Sequence, residues 1–237
     1  MVIAVIAIVA AILLPALSAA KSKSLQTACE NNLEQLTTGW LMYAGDNDSK
    51  LVENIPFTGV FFGKTNVWAL GDMTVASQCS DPLLLQQSEL YPYTSSTPVY
   101  HCPADLSTTN GVPRVRSYSM NGWLGSRYMN TTGIEPGYRT YIKESEMVTK
   151  GTSLLWVFMD EHEASINDSF FNVTMDDSRP FQSLPSNRHR RGYNLSFADG
   201  HVEHYRLLNV YQVAASNSSS NSDWIALKQI TTIPWGQ

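Results

Sequence analysis

The chain begins with an apolar segment, MVIAVIAIVAAILLPALSAA, that contains no Asp, Glu, Lys, Arg or His. As an α-helix, these twenty residues would be about 30 Å long, which is enough to cross the hydrocarbon core of a bilayer. We therefore predict that residues 1–20 form a transmembrane helix and that the more polar remainder forms a globular head. Pro15 lies inside the apolar run and predicts a kink or a local loss of hydrogen bonds.

The helical pattern continues beyond the apolar segment. Apolar residues recur at three- and four-residue steps, at Leu25, Cys29, Leu33, Leu36, Trp40 and Tyr43. This spacing predicts that residues 21–44 form an amphipathic helical segment, continuous with residues 1–20, whose apolar stripe packs on a head formed by residues 45–237.

Two other interpretations of residues 1–20 stay open. A secretory signal peptide would end in small residues such as Ser18-Ala19-Ala20, but its basic region should precede the apolar run, and the first basic residues here, Lys21 and Lys23, follow it. A buried core helix would also be apolar, although such a helix is rarely found at the start of a chain.

Strand and turn signals dominate the head. Thr152–Met159 is a continuous apolar run of strand length, and Tyr193–Ala198 alternates with a period of two. Asp199-Gly200 follows the second run and predicts a hairpin with a type I′ turn. Residues 54–80 have the pattern of short strands and loops.

One short helix is predicted within the head. Asp81 is a suitable N-cap and Pro82 a suitable first helical residue, and the pattern then continues to Tyr91, where Pro92 ends it. The polar run SNSSSNSD near the C-terminus predicts a loop before a closing element.

Composition excludes several classes of protein. The 237 residues are 43% hydrophobic and 16% charged, which suits a packed core rather than a disordered chain. The net charge of −5 argues against a nucleic-acid-binding protein that relies on bulk electrostatics. Three cysteines are too few for a small disulfide-stapled scaffold. The mean hydropathy of −0.18 argues against a polytopic membrane protein.

Two groups of side chains are candidates for metal binding. Asp46, Asn47, Asp48 and Glu53 offer oxygen ligands of the kind that Ca²⁺ prefers, although a helix C-cap with an Asx turn explains the first three equally well. The second group comprises histidines and carboxylates further along the chain, at Asp160, Glu161, His162, His189, Asp199, His201 and His204.

The second group suits transition-metal binding or acid–base work, but a structural role is favoured over both. The sequence has no HExxH, GxSxG, phosphate-loop or paired-cysteine motif, so no enzymatic activity is predicted. Asp199 has a sufficient role in the hairpin turn. His189 is expected to tie the incoming loop to that turn or to Asp160.

The N-terminal helix resembles those of type IV pilins and type II secretion pseudopilins. The match is closest to the prepilin-type family with a processing-associated H-X9-DG domain. Further motifs in the head carry this resemblance in the expected order: Tyr43-Ala44-Gly45-Asp46-Asn47, Cys102-Pro103-Ala104-Asp105, Ser117-Tyr118-Ser119-Met120-Asn121, Asp160-Glu161, and His189 separated by nine residues from Asp199-Gly200.

The resemblance implies an α+β, pilin-like fold, in which the long hydrophobic helix packs on a mainly antiparallel sheet with long loops. It also implies a structural filament subunit, anchored by a single pass in the inner membrane with its head periplasmic or extracellular. Its partners would be other pilin or pseudopilin subunits and the secretion or pilus assembly machinery, and no nucleic acid. The family's leader and Phe-Thr-Leu-Ile-Glu start are absent here, so we expect the natural start to lie upstream of Met1.

An exported head would be oxidised, and Cys79 and Cys102 are the expected disulfide pair because both fall in irregular loops. Cys29 on the helix is interpreted as a small packed hydrophobe. Two alternative functions stay open. The first is an anchored or secreted binding module, for instance for glycans, using exposed tryptophans or the basic run Arg188–Arg191. The second is a metal-dependent hydrolase.

Overall fold

The computed structural model describes residues 2–56, 66–131, 135, 137–177, 179, 181–208 and 221–236. These residues form an α+β fold with one long N-terminal helix and a head built around a five-stranded sheet. The helices are α1 Val2–Asp46, α2 Ala76–Cys79, α3 Pro82–Gln86, α4 Tyr91–Thr94, α5 Tyr128–Thr131, α6 Glu144–Met147 and α7 Ser222–Gln229, with 3₁₀ turns at Thr97–Tyr100 and Thr152–Leu154. The strands are β1 Thr108–Thr109, β2 Val112–Pro113, β3 Tyr118–Asn121, β4 Trp156–Asp160, β5 Phe170–Phe171, β6 Gly192–Phe197 and β7 Val202–Arg206.

Helix α1 has two halves with different surroundings. Between Val2 and Ala20 the described side chains are exposed, except for a half-buried Ala10. Further along, one face is fully buried in the head, at Cys29, Leu33, Leu36, Trp40 and Ala44. The predicted continuous helix with a head-bound stripe is confirmed, and the helix continues through Pro15.

The sheet lies between α1 and α7. Its strand order is β5-β3-β4-β6-β7, with antiparallel pairing except between β3 and β5, which run parallel. One face packs on α1 through residues such as Val157 and Phe158. The other face packs on Trp224 and Leu227 of α7. The prediction of a mainly antiparallel sheet beside a long helix is therefore confirmed.

Strand β4 contains a bulge that changes which face its last residues meet. The pairing of β4 with β6 shifts register between Trp156 and Met159. Trp156 and Met159 pack in the cluster that includes α7, whereas Val157 and Phe158 both pack in the cluster that includes α1. In a regular strand, which alternates faces at every residue, Asp160 would lie on the same α7 face as Trp156. The bulge shifts the alternation by one residue and places Asp160 on the α1 face.

The β6–β7 hairpin is confirmed, but the predicted type I′ turn is wrong. The NH of Gly200 donates to Phe197 O and the NH of Phe197 donates to His201 O, both over 2.9 Å, which closes a three-residue loop. Gly200 has a φ of 97°, whereas Asp199 is not among the residues with positive φ. This is the arrangement of a type I turn followed by a left-handed glycine.

The helix predicted from Pro82 to Tyr91 is shorter than expected. The Asp81 carboxylate caps it by accepting from the NH of Leu83, as predicted, but α3 ends at Gln86. Pro92 then lies in the first turn of α4, where its missing NH is not needed, so it begins a helix and does not end one. Within residues 54–56 and 66–80 the structure has no strand, and residues 57–65 and 209–220, including most of SNSSSNSD, lie outside the described part.

Candidate functional site

Four segments that are distant in sequence bring two cysteines, a histidine and an aspartate together inside the head. Cys29 belongs to α1, Cys102 follows the 3₁₀ turn Thr97–Tyr100, Asp160 ends β4, and His189 precedes β6. One donor atom from each lies within 4.8 Å of the others, and all four residues are buried. We call these four residues the Cys-His-Asp cluster.

Direct contacts hold the Cys-His-Asp cluster together. The Nε2 atom of His189 lies 3.1 Å from Sγ of Cys102 and 3.5 Å from Oδ2 of Asp160. The hydroxyl of Tyr118 on β3 donates to Sγ of Cys29 over 3.1 Å. The predicted contact between the side chains of His189 and Asp160 is therefore present, and Cys102 is a further partner of His189.

The turn at Cys102-Pro103-Ala104-Asp105 presents the Cys102 thiol to the cluster. The NH of Asp105 donates to Cys102 O over 2.9 Å, and the NH of Cys102 donates to Oγ of Ser117 over 2.6 Å. Asn32 on α1 donates from its amide to His101 O over 2.9 Å. The turn is thus anchored to α1 and to the residue that directly precedes β3.

Asp160 is held by groups from the segment before β6. Ser186 donates from its hydroxyl to Oδ2 of Asp160 over 2.6 Å and from its NH to Asp160 O over 2.8 Å. Arg188 donates to the other carboxylate oxygen of Asp160 in a buried ion pair. Asp160 therefore has both oxygens engaged, one by a cation and one by a hydroxyl beside His189.

A strained turn orients His189. Arg190 and Arg191 have φ values of 51° and 65°, a left-handed conformation that costs a non-glycine residue about 1–2 kcal/mol. The turn closes with the NH of His189 donating to Gly192 O over 3.1 Å. Strain of this kind persists only where surrounding contacts fix the backbone, as they do here.

Charges around the cluster are arranged about Arg188. Its side chain is 8% exposed, and its guanidinium lies 3.5 Å from Asp105 and 3.2 Å from Glu163, in addition to Asp160. Burial opposes its charge, but the carboxylates of Asp160 and Asp105 outweigh burial and raise the pKa of Arg188. Arg188 therefore stays a cation inside the protein.

The thiol and imidazole groups respond to the same surroundings. A hydrogen bond with Cys29, together with burial, raises the pKa of the Cys102 thiol. Burial lowers the pKa of His189, but its hydrogen bond with Cys102 and the charge of Asp160 outweigh burial, so that the pKa is raised overall. Cys102 is thus a neutral thiol at neutral pH.

Glu161 belongs to a separate polar network. It is buried, and Ser165 donates to its Oε1 over 2.9 Å. Burial raises the pKa of Glu161 to about 8, so it is largely protonated at neutral pH. Arg116, fully buried nearby, donates to Tyr118 O over 2.9 Å and to Gly71 O over 3.1 Å.

The remaining histidine candidates do not reach the cluster. Asp199 lies in the hairpin loop, where its carboxylate is 2.5 Å from Nδ1 of His201. His204 contacts the side chain of Asn194 at 3.0 Å, and His162 Nδ1 accepts from the NH of Ala164. Asp199 and Gly200 therefore serve the turn, as the sequence predicts.

The proposed calcium ligands lie at the end of α1. Asn47 donates from its amide to Tyr43 O over 2.8 Å, and the NH of Ser49 donates to Ala44 O over 2.9 Å, so this segment caps the helix. Asp46 and Asp48 do not join any metal-like group of His, Cys, Asp and Glu donors within the described residues.

The structure does not bring Cys79 and Cys102 together. All three cysteines are free thiols, and Cys79 packs with Met73 and Ile166 in a separate small cluster. Cys102 lies beside Cys29 instead, because α1 packs directly over the Cys102 turn. The prediction of a Cys79–Cys102 disulfide is therefore wrong. The thiol next to Cys102 is that of Cys29 on α1, and not that of Cys79 in a loop.

Most of the tryptophans considered for glycan binding are not exposed, and basic side chains line one cleft. Five of the six tryptophans are buried, and Trp235 is 53% exposed with Arg139 stacked 5.3 Å from its ring. A basic cleft of about 540 Å³ lies where α1 enters the head, lined by Lys23, Gln26, Glu30, Arg190, His204 and Arg206.

Sequence reasoning missed Cys29 as a member of the candidate site. Cys29 occupies a position in the apolar stripe where a packed hydrophobic residue is expected. Periodicity alone therefore cannot distinguish a packed cysteine from a metal ligand. The available signal was a thiol on the helix face that is predicted to meet the head, opposite a second thiol in the Cys102 motif.

Comparison of the chain with protein-family models, curated proteins and solved structures finds no match.

Proposed function

We propose that this protein is a structural subunit of a type IV pilus-like or type II secretion filament. In this proposal it is held in the inner membrane by α1 before assembly, with its head periplasmic or extracellular. The observation that carries the proposal is the exposed apolar half of α1. Its large side chains are between 48% and 83% exposed, at Val2, Ile3, Ile6, Ile8, Val9, Ile12, Leu13, Leu14 and Leu17.

The length of this half supports a membrane-anchored state. Val2–Ala20 is about 29 Å long at 1.5 Å per residue, close to the thickness of a bilayer core. Contiguous exposed apolar surface is unfavourable in water, so lipid or protein must cover it. One helix of this chain, extending from the apolar half into the head, is long and apolar enough to cross a membrane.

The continuity of α1 supports an assembled state. A filament packs such helices against one another in its core, which removes the apolar half from lipid without exposing it to water. Because the same helix is fixed in the head by Leu33, Leu36 and Trp40, helix packing also sets the spacing of the heads.

The test uses the full chain expressed in a bacterium that carries filament assembly machinery. Photo-crosslinking residues replace Ile8 or Leu13 in the apolar half, and Leu106, 90% exposed on the head, is the control position. We expect carbonate-resistant membrane association and subunit–subunit adducts from positions 8 and 13. The substitution Ile12→Lys should abolish both, because a charge near the helix centre costs about 2.5–3.5 kcal/mol on insertion.

Two results would contradict the proposal. A secreted protein whose mature N-terminus is Lys21 would identify residues 1–20 as a cleaved signal peptide. If the membrane-bound protein forms no adduct with another subunit from position 8 or 13, α1 is a membrane anchor and does not pack in a filament.

A further inference from the structure

We propose that Cys29, Cys102, Asp160 and His189 form a structural Zn²⁺ site that joins α1 to the head. This inference does not depend on the filament proposal, because it concerns how one chain is held together. Four observations support it: the spacing of the donor atoms, their chemistry, the local charge balance and the groups that orient the ligands.

The donor spacing fits a tetrahedral metal. Zn–S bonds of about 2.3 Å and Zn–N or Zn–O bonds of about 2.0–2.1 Å place tetrahedral ligands about 3.3–3.8 Å apart. In the structure, His189 Nε2 is 3.1 Å from Cys102 Sγ and 3.5 Å from Asp160 Oδ2, and all four donor atoms lie within 4.8 Å of one another. Small side-chain rotations therefore suffice to enclose the ion.

The donor types favour zinc. Two thiolates, one imidazole and one carboxylate are the borderline-soft ligands that Zn²⁺ takes, whereas Ca²⁺ and Mg²⁺ require oxygen ligands. All four positions of a tetrahedron are filled by protein atoms, and each of these residues is at most 1% exposed. A closed site of this kind leaves no position for a substrate, so it stabilises structure and does not catalyse a reaction.

Most of the ligand charge is neutralised when the ion is bound. Two thiolates and the Asp160 carboxylate carry −3, and Zn²⁺ with the Arg188 guanidinium supplies +2 and +1, so these groups sum to zero. The Asp105 carboxylate, 3.5 Å from Arg188, adds one further negative charge and faces His101 at 3.9 Å. Arg188 is already paired with Asp160 inside the protein. A buried group of charges is tolerated only when it is neutralised in this way.

Groups outside the four ligands already orient them. Tyr118 donates to Cys29 Sγ, and Ser186 and Arg188 hold the two oxygens of Asp160. Partners of this type are a regular feature of metal sites, and removing one typically weakens metal binding about 10–100-fold. The strained turn at Arg190 and Arg191 fixes the direction of His189.

A disulfide between Cys29 and Cys102 is the competing use of the same two thiols. It would join α1 to the head without a metal, and it would leave His189 and Asp160 with no shared partner. The two states differ in their cysteine chemistry, because a zinc site has two reduced sulfurs and a disulfide has none.

The test uses the full chain, purified in detergent without added metal or chelator. Elemental analysis should find one zinc per chain, and both cysteines should be alkylated as reduced thiols after denaturation. Replacing zinc by Co²⁺ should give a thiolate-to-cobalt charge-transfer band that saturates at one equivalent. This measurement on the unaltered chain does not rely on any variant folding.

Variants assign the ligands. Cys29→Ser and Cys102→Ser should each weaken zinc affinity by at least about 100-fold, and Ser186→Ala by about 10–100-fold. Cys79→Ser is the matched control, because Cys79 is equally buried but lies in another cluster, and it should keep one zinc per chain. The proposal is overturned if folded, reduced protein binds neither Zn²⁺ nor Co²⁺. It is also overturned if peptide mapping finds a Cys29–Cys102 disulfide in metal-free native protein, or if Cys29→Ser retains full zinc affinity.

Discussion

The hydroxyl of Tyr118 donates a hydrogen bond to Sγ of Cys29 over 3.1 Å, and both residues are fully buried. Tyr118 belongs to β3, whereas Cys29 belongs to α1, and 89 positions separate them in sequence. This contact links the long helix to the central sheet at the Cys-His-Asp cluster.

Removing this hydroxyl should weaken the attachment of α1. Tyr118→Phe keeps the ring but loses the hydrogen bond, and we expect the free energy of unfolding to fall by about 1 kcal/mol. Tyr43→Phe is the control, because Tyr43 is half-buried on α1 and its hydroxyl is less desolvated. Urea unfolding of the full chain in detergent, followed by tryptophan fluorescence, measures both. Equal effects from the two substitutions would contradict a specific role for Tyr118.

Trp40 should be a principal determinant of helix docking. It is fully buried in the cluster that joins α1 to the sheet, and truncating such a side chain leaves a large cavity. We expect Trp40→Ala to lower the free energy of unfolding by about 3–5 kcal/mol. Met42→Ala, two residues away on the same helix and 52% exposed, should change it by less than about 0.5 kcal/mol. Near-UV circular dichroism and urea titration distinguish the two, and a Trp40→Ala midpoint equal to that of Met42→Ala would refute the prediction.

Replacing each of two glycines by alanine should change the stability of the protein in opposite directions. A Cβ on Gly192 would lie 2.1 Å from Tyr205 O and 2.9 Å from Arg206 Cα, so the β6–β7 pair would have to separate. We expect Gly192→Ala to destabilise the head by about 3 kcal/mol through overpacking. A Cβ on Gly45, in the last turn of α1, meets nothing within 4 Å, so Gly45→Ala should stabilise by about 0.5–1 kcal/mol. Thermal unfolding of both variants measures the direction of each change in stability. A Gly192→Ala protein as stable as the unaltered chain would contradict the close approach of Gly192 to Tyr205 O.

Asn121 should not tolerate replacement by the isosteric aspartate. Its amide donates to Trp156 O over 3.0 Å and to Thr231 O over 3.2 Å at a fully buried position. A carboxylate would direct an acceptor at two carbonyl oxygens, and we expect Asn121→Asp to cost about 3 kcal/mol or more. Asn31→Asp, on an exposed position of α1, is the control and should be close to neutral. Urea unfolding at neutral pH measures the difference, and an Asn121→Asp protein as stable as the control would show that the amide is not required.

The long helix could be predicted from sequence because its periodicity is sustained over many turns. The apolar residues from Cys29 to Trp40 recur at helical spacing, and each is buried as that spacing requires. The strands β4 and β6 were also predictable, since their short apolar or alternating runs are bounded by turn residues. The prediction was wrong for the start of the first run, because Thr152–Leu154 forms a 3₁₀ turn and the strand begins at Trp156.

The sequence predicted a contact between His189 and Asp160, but the complete cluster could not be predicted, because the two cysteines join that pair only through tertiary packing. Asp160 faces α1 since the bulge between Trp156 and Met159 offsets the alternation of β4, and no local signal marks this bulge. The turn type at Asp199 was missed for a related reason. An Asp-Gly pair suits both a two-residue and a three-residue loop, and the strand register of β6 and β7 selects the longer one.

The unbroken course of α1 has a mechanical consequence. Because α1 is continuous from Ala20 to Cys29, the exposed apolar half and the head share one helix axis, and the cluster lies about 14 Å beyond Ala20 along that axis. In the proposed membrane-bound or assembled state, the tilt of the apolar half would therefore set the tilt of the head. The orientation of the heads on the surface of such an assembly would follow the angle of the helices inside it.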